Sequence, residues 1–298
     1  MIDVTGRVAF ITGGASGAGF GQACVFGDAG ARIAIADVRA DALDRAVSAL
    51  GARGIEAFGV PLDITDRVAY AAAADAVEDH FGHPVTLLFN TAGVNGFGPV
   101  EAMTYGDIDW LLNVNLGGVV NGMQTFVPRM IAADRGGHVV SVASVGGFEG
   151  SPMTAPYSAA KAAVISLMES YAPALETHGI GVTVLCPANI RSNIAESDAV
   201  RTTDTAGSGV RTDDRFRASL REVYAHGMDP EHLARRLMEA IAAGQLYAIP
   251  YPEVRGDLEA KFSRVLAAIP ADDPDDPDGA ADRVRALGAF RAAAAGGT

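Results

Sequence analysis

Short apolar runs alternate with longer stretches of helical periodicity along most of the chain. The runs at 8–11, 32–36, 55–60, 85–89, 138–142, 182–185 and 246–249 read as strands. Helical periodicity fills 17–30, 40–50, 66–81, 107–133 and 156–178 between them. Strands of four to six apolar residues, without alternation, suit a parallel sheet covered on both faces. Strands that alternate with helices imply right-handed crossovers and helices on both sides of the sheet.

The pattern therefore predicts an α/β fold, a Rossmann-like doubly wound parallel sheet of about seven strands with a C-terminal helical extension. No internal repeat is present. Residues 195–230 are polar and read as irregular, with Thr, Asp, Ser and Gly crowded together. Residues 270–279 form an acidic, proline-broken linker, followed by an Ala/Arg-rich segment. The expected organisation is a single catalytic domain over 1–269 and a linker with a tail over 270–298.

Composition narrows the function. A chain of 298 residues suits one large α/β domain and can bury a sizeable core without staples. Its formal net charge of −13, with no Lys/Arg cluster, argues against nucleic acid and anionic membranes as partners. Cys24 and Cys186 are far apart in apolar settings and read as buried small hydrophobes. The six histidines show no ligand spacing, so no metal is expected. The N-terminus carries no basic and apolar leader pattern, and no window is long and apolar enough to span a membrane. A cytoplasmic location is expected.

The first strand runs into Thr12-Gly13-Gly14-Ala15-Ser16-Gly17-Ala18-Gly19. Gly13, Gly17 and Gly19 stand where a strand turns into a helix. A backbone without Cβ can approach a pyrophosphate, and the helix N-terminus offers free N–H groups to it. The second strand ends at Asp37, 18 residues past Gly19. A carboxylate there accepts from ribose hydroxyls and repels a 2′-phosphate, which favours NAD over NADP. Arg39, two residues on, points the other way.

Tyr157 and Lys161 open a helical run and share a face at i, i+4. A neighbouring ammonium is expected to lower the tyrosine pKa from about 10 toward working pH, which suits proton exchange with an alcohol or carbonyl. The chain holds only two lysines, Lys161 and Lys261, against seven tyrosines, so the pairing is not a common coincidence.

Thr12 to Gly19, Asp63, Asn90-Thr91-Ala92-Gly93, Asn115, Ser144, Tyr157 with Lys161, and Pro187 recur in the order of the short-chain dehydrogenase/reductase family, which residues 5–195 resemble. The resemblance implies an oxidoreductase using a nicotinamide cofactor. It assigns catalysis to Asn115, Ser144, Tyr157 and Lys161. Ser144 would orient the substrate oxygen, Lys161 would also hold the nicotinamide ribose, and Asn115 would sit in a helix and hold a water joining Lys161 to solvent. It assigns the cofactor to Gly13, Ser16, Gly17, Ala18, Gly19, Asp37, Val38, Asp63, Ile64, Asn90, Ala92, Gly93, Ile190 and Ser192, with Tyr157 and Lys161. Asn90 would line the cofactor cleft, and Ile190 and Ser192 would meet the carboxamide. The family usually has Pro-Gly where this chain has Pro187-Ala188, and Thr where it has Ser192. Asn90-Thr91 stands for a commoner Asn-Asn pair, with little consequence expected.

The stretches 9–22 (AFITGGASGAGFGQ), 90–99 (NTAGVNGFGP), 187–196 (PANIRSNIAE) and 249–255 (IPYPEVR) are similar to the Cα-dehydrogenases of bacterial lignin β-aryl ether breakdown. That resemblance implies NAD-dependent oxidation of a benzylic secondary alcohol to a ketone. The other reading is a dehydrogenase or reductase of another hydrophobic alcohol or ketone, steroid- or terpenoid-like. A redox sensor that binds the dinucleotide without turnover is disfavoured by the Tyr/Lys pair. Residues 190–226 are expected to cover the substrate, with Phe97, Phe148 and Met153 beside Ser144 and Tyr157. The family also implies a homodimer or homotetramer built on the helical stretches 107–133 and 156–178.

Overall fold

Seven parallel strands form one sheet in the order β3-β2-β1-β4-β5-β6-β7. They are β1 (Val8–Thr12), β2 (Arg32–Asp37), β3 (Ala57–Pro61), β4 (Val85–Asn90), β5 (Gly137–Val142), β6 (Ile180–Leu185) and β7 (Tyr247–Ala248). The computed structural model describes residues 3–201, 205–271, 275–276 and 278–295. Residues 202–204 of the covering segment, and 272–274 and 277 of the acidic linker, lie outside the described residues, as do residues 1–2 of the N-terminus.

The helices are α1 (Gly17–Asp28), α2 (Ala40–Ala52), α3 (Arg67–Phe81), α4 (Tyr105–Leu112), α5 (Gly118–Ala133), α6 (Ala155–Glu176), α7 (Asp214–Ala225), α8 (Pro230–Ala242), α9 (Arg255–Ala267) and α10 (Gly279–Ala295). β1, β4 and most of β2, β5 and β6 are buried along their length, which is why their residues are apolar on both faces. Phe10 of β1 anchors one face of the core, with ring centroids 4.6 Å from Phe126 and 6.1 Å from Tyr70. On the other face Phe26 of α1 packs edge-on to Phe89 at 4.7 Å.

The sheet reverses its winding between β1 and β4, which pair in parallel although three helices separate them in sequence. At such a switch point the loops after adjacent strands turn apart and leave a crevice at their carboxyl ends. The glycine loop after β1 and the Thr91–Gly93 loop after β4 border that crevice.

Three local features depart from the sequence reading. The stretch 107–133 is interrupted by a π-helical turn at Asn113–Gly117, between α4 and α5. Part of the polar segment 195–230 is helix. Asp213 caps α7 by accepting from the Phe216 amide at 3.0 Å. Its Phe216, Leu220 and Tyr224, spaced i, i+4, i+8, are half-buried on one face, and ion pairs to Glu196 and Asp198 add to that packing. The structure also has α8, with Pro230 at its start and Asp229 accepting from the His232 amide at 2.9 Å.

The described residues form two compact units, Met1–Pro252 and Glu253–Thr298. The first contains the whole sheet. The second contains α9 and α10.

Candidate active site

A cleft of about 970 Å³ lies over the carboxyl ends of the strands. Its cofactor-side wall is built by close backbone packing. Gly13 has φ +65°, and a Cβ there would lie 2.8 Å from the Ala92 Cα. A Cβ on Gly19 would collide with the Gly13 carbonyl. Gly17 has φ +51° and would place a Cβ 3.1 Å from Ser192 Cβ, so the loop after β6 lies directly against the glycine loop. Thr12 Oγ1 accepts from the amides of Thr91 at 3.0 Å and Ala92 at 3.1 Å, which locks the two loops together. Thr91 is not idle. Its hydroxyl donates to Gln22 Oε1 at 2.6 Å and ties the loop to α1.

Ser16, Gly17, Ala18, Gly19, Asp37, Val38, Asp63, Ile64, Ala92, Gly93, Ile190 and Ser192 all line this cleft with Gly13. Ser16, at the N-cap of α1, makes no side-chain cap bond, which leaves the first amides of the helix open toward the cleft. Asp37 is buried, and Arg39 donates to both its carboxylate oxygens while also reaching Ser16 Oγ at 3.0 Å. The Asp63 carboxylate is engaged by the Thr65 amide and hydroxyl at 2.9 and 2.8 Å. Gly118 packs against the Ile64 side chain, fixing its position. A glycine cradle, an uncapped helix end and an acidic residue at the tip of β2 together fit a dinucleotide.

Asn90 is elsewhere. It does not line the cleft. It is 2 % exposed, and its amide donates to Ser141 Oγ at 3.2 Å, linking β4 to β5 beneath the site.

Ser144, Tyr157 and Lys161 line the same cleft. Pairing beyond β5 and β6 sets Ser144, because Ala143 and Val145 donate to the Leu185 and Pro187 carbonyls at 2.8 and 3.0 Å. The Ser144 hydroxyl accepts from the Gly146 amide at 3.0 Å. Tyr157 and Lys161 lie one turn apart at the start of α6. The Lys161 ammonium donates to the Val142 carbonyl at 2.8 Å and stands 5.6 Å from the Tyr157 ring centroid. Burial pushes Lys161 down to about 8. Burial also pushes Tyr157 up to about 12, against a hydrogen bond from Ser144 that lowers it. The expectation that the ammonium lowers the tyrosine is thus corrected: burial dominates, and what opposes it is the hydrogen bond from Ser144.

Asn115 sits in the π-helical turn, one layer behind the cleft wall and fully buried. Its amide nitrogen donates to Val94 and Leu111 carbonyls at 2.9 Å each, and its Oδ1 accepts from the Val94 amide at 3.2 Å. A Cβ on Gly93 would meet Asn115 Oδ1 at 2.9 Å and Lys161 Nζ at 3.4 Å, so Asn115 and Lys161 converge on the same glycine. π-turns recur at functional sites because they re-aim a side chain within a helix.

Of the expected substrate contacts, Phe97 lines the cleft with Ser144 and Tyr157. Phe148 and Met153 do not. Phe148 packs against the main core, and Met153 acts through its backbone, whose carbonyl accepts from the Gly98 amide at 2.9 Å. Hydrophobicity near the site in sequence did not distinguish a wall of the cleft from a wedge in the core.

The family model for short-chain dehydrogenases matches residues 7–202. The chain belongs to the short-chain dehydrogenase family. This short-chain dehydrogenase is 56 % identical over 290 residues to the C alpha-dehydrogenase of Sphingobium sp. strain SYK-6, covering 97 % of this chain and 95 % of that protein. It is similar to the crystal structure of the apo form of LigD from the same strain, with TM-score 0.77, 51 % identity and coverage of 90 % and 99 %. A short-chain dehydrogenase/reductase from Burkholderia phymatum in complex with NAD gives TM-score 0.83 at 32 % identity, covering 92 % of this chain and 99 % of that one.

In this dehydrogenase several residues that sequence reasoning did not single out also line the cleft, among them Trp110, Val200 and Tyr224. Tyr224 lies on α7, in the segment read as irregular, and is close enough that its phenol helps to raise Tyr157. A helical reading of 214–225 would have placed it on one apolar face with Phe216 and Leu220. Trp110 packs with Val94 and Leu111, so in sequence it reads as an ordinary core residue of its helix. Among the described residues no cluster of three or more His, Cys, Asp or Glu could hold a metal, and no helix is long and apolar enough to cross a membrane.

Proposed function

We propose that this short-chain dehydrogenase oxidises the benzylic Cα secondary alcohol of lignin-derived β-aryl ethers to the ketone, with NAD as acceptor. The observation that carries the chemistry is the meeting of Ser144, Tyr157 and Lys161 in one cleft that runs on to the glycine loop and Asp37. Nicotinamide, when bound, supplies the hydride acceptor. Ser144 Oγ holds the substrate oxygen. Tyr157 Oη receives the hydroxyl proton as the carbinol C–H bond breaks and the carbonyl forms. Because burial raises Tyr157, positive charge beside it is needed to draw off its proton, and Lys161 is placed to supply it. Asn115 holds Lys161 in register through Gly93 and the Val94 backbone.

Two features support NAD. Asp37 is buried at the tip of β2, and its carboxylate occupies the guanidinium that would otherwise meet a 2′-phosphate. The Burkholderia phymatum relative was solved with NAD. The substrate class is supported by the 56 % identity to a C alpha-dehydrogenase over 97 % of the chain. The aromatic character of the cleft beyond Tyr157 agrees with it, through Phe97, Trp110 and Tyr224.

The test is NADH formation from guaiacylglycerol-type β-aryl ether dimers, run against a panel of steroid, terpenoid and aliphatic secondary alcohols, with NAD and NADP in parallel. Turnover of the dimers with NAD is expected. NADH from another alcohol and none from the dimers overturns the substrate assignment.

A further inference from the structure

Trp110 is the single tryptophan of the chain. It lies on α4 and is 6 % exposed, and what remains exposed lines the cleft. The rest of the ring is enclosed. Gly96 lies against it, since a Cβ there would stand 3.5 Å from Trp110 Cζ3. Val94, Leu111, Val114 and Val200 pack around it. The Arg201 guanidinium stands 5.0 Å from the ring centroid.

Arg201 cannot drift away from that position. Its Nη1 donates to Asp107 Oδ1 at 2.5 Å, and both side chains are almost wholly buried. Asp107 is itself held from several sides. It accepts from the Ser208 hydroxyl at 2.6 Å and the Gly209 amide at 2.9 Å, and from the Thr104 amide and hydroxyl at 2.9 Å each. Burial pushes this carboxyl up, but the donors outweigh it and hold it well below the usual carboxylate range. The ion pair therefore joins α4 to the segment that follows β6 and fixes the guanidinium beside the tryptophan ring.

A guanidinium near an aromatic ring draws on its π-density. The edge of a ring is already its positive region. Trp110 thus offers the cleft a rigid aromatic border whose π-density the guanidinium has drawn on, with Val200 and Phe97 on the same cavity. Phe97 is braced in turn by Phe216 of α7, at 6.0 Å between centroids. Such a border favours an electron-rich aryl face, as on an alkoxy-substituted ring, over a saturated group of equal size.

We propose that Trp110, backed by Arg201, is a specificity-determining residue against which the electron-rich aryl group of the substrate packs. This rests on the assignment of an aryl alcohol as substrate. It assigns Trp110 to recognition and not to the proton or hydride step.

The experiment has two arms on the full-length protein. In the first, the intrinsic fluorescence of the wild type is titrated with an alkoxyaryl ether alcohol and with a cyclohexyl alcohol of matching size. Saturable quenching by the aryl compound alone is expected, and no change on aryl binding overturns the proposal. In the second, KM and kcat are measured for both alcohols in Trp110→Leu and Trp110→Phe. Trp110→Leu should raise KM for the aryl alcohol about three- to tenfold, the range a lost aromatic contact gives, with kcat within about twofold and the cyclohexyl KM unchanged. Trp110→Phe should restore most of the loss. Equal losses on both alcohols, or a fall in kcat alone, show a structural role and overturn the proposal. If Trp110→Leu does not fold, the wild-type titration and Trp110→Phe decide the question. If the wild type oxidises no aryl alcohol, the substrate assignment fails, and this proposal fails with it. That result is told apart because it appears before any substitution is made.

Discussion

Arg39 grips Asp37 with two parallel hydrogen bonds, Nε to Oδ1 at 3.0 Å and Nη2 to Oδ2 at 3.1 Å. The same guanidinium reaches Ser16 in the glycine loop. Asp37 therefore acts twice, as the acceptor offered to a ribose and as the anion that occupies the nearby cation. Asp37→Ala removes both effects and leaves Arg39 facing the place of a 2′-phosphate. Hydrogen bonds to charged groups contribute about 1.5–3 kcal/mol, so the NAD over NADP ratio of kcat/KM should fall by about ten- to a hundredfold. Arg39→Ala should weaken NADP use further and leave NAD largely intact. Steady-state kinetics with both cofactors check this, and an unchanged ratio in Asp37→Ala would show that cofactor choice lies elsewhere.

Tyr157→Phe keeps the ring and removes the proton-transferring oxygen. General acid–base catalysis contributes about 10²- to 10⁴-fold, and kcat should drop by that order. NADH binding, followed by the cofactor's own fluorescence, should be nearly unchanged. A variant that keeps wild-type turnover would remove Tyr157 from the chemistry.

The strands and the Tyr157/Lys161 pair were legible because each depends on local sequence. Strand burial imposes apolar runs, and a helix turn imposes i, i+4 spacing. Thr12 to Gly19 was legible for the same reason, since a tight strand-to-helix turn needs glycine where φ is positive or backbones touch. What escaped depends on partners distant in sequence. α7 has its apolar residues Phe216, Leu220 and Tyr224 spread among charged ones and only half-buried, and its ion pairs reach back to Glu196 and Asp198, so it reads as a polar stretch. Asn90 reads like a cleft residue until the β4–β5 pairing turns its amide toward Ser141. Phe148 and Phe97 look alike in sequence, yet one packs against the core and the other borders the cleft. The i, i+4 spacing points to a lowered Tyr157, yet burial, which no spacing rule encodes, raises it.

The Asp107–Arg201 pair should be asymmetric under substitution. Arg201→Met leaves Asp107 with donors from Ser208, Gly209 and Thr104, so it should cost about 1–3 kcal/mol. Asp107→Ala breaks the buried pair, leaves the Gly209 amide without its acceptor and removes half of the Thr104 capping box. It should cost about 3–5 kcal/mol. Urea unfolding midpoints at equal m-value give the order, and a more severe Arg201→Met would contradict it.

His138 should contribute to the acid sensitivity of the fold. It is buried between β5 and β6, and burial holds its imidazole down at about 4 from an ordinary 6.5. The Thr183 hydroxyl donates to the Gln245 carbonyl at 2.8 Å, so its oxygen accepts from His138 Nε2 at 2.9 Å. That leaves Nδ1 to take the second proton, in a space closed by Gly181. The folded pKa lies below the unfolded value, so the unfolded chain takes up a proton first as pH falls. Stability from the neutral ring is complete above about pH 6.5 and is lost progressively down to about pH 4. At about 1.4 kcal/mol per pH unit the loss across that window is about 3 kcal/mol. His138→Asn keeps a donor for Thr183 but does not titrate, so it should be less stable at neutral pH and flatter in acid. Chemical unfolding of both proteins from about pH 7 to about pH 4 reads the difference in slope, and parallel curves would show that His138 takes no part in acid sensitivity.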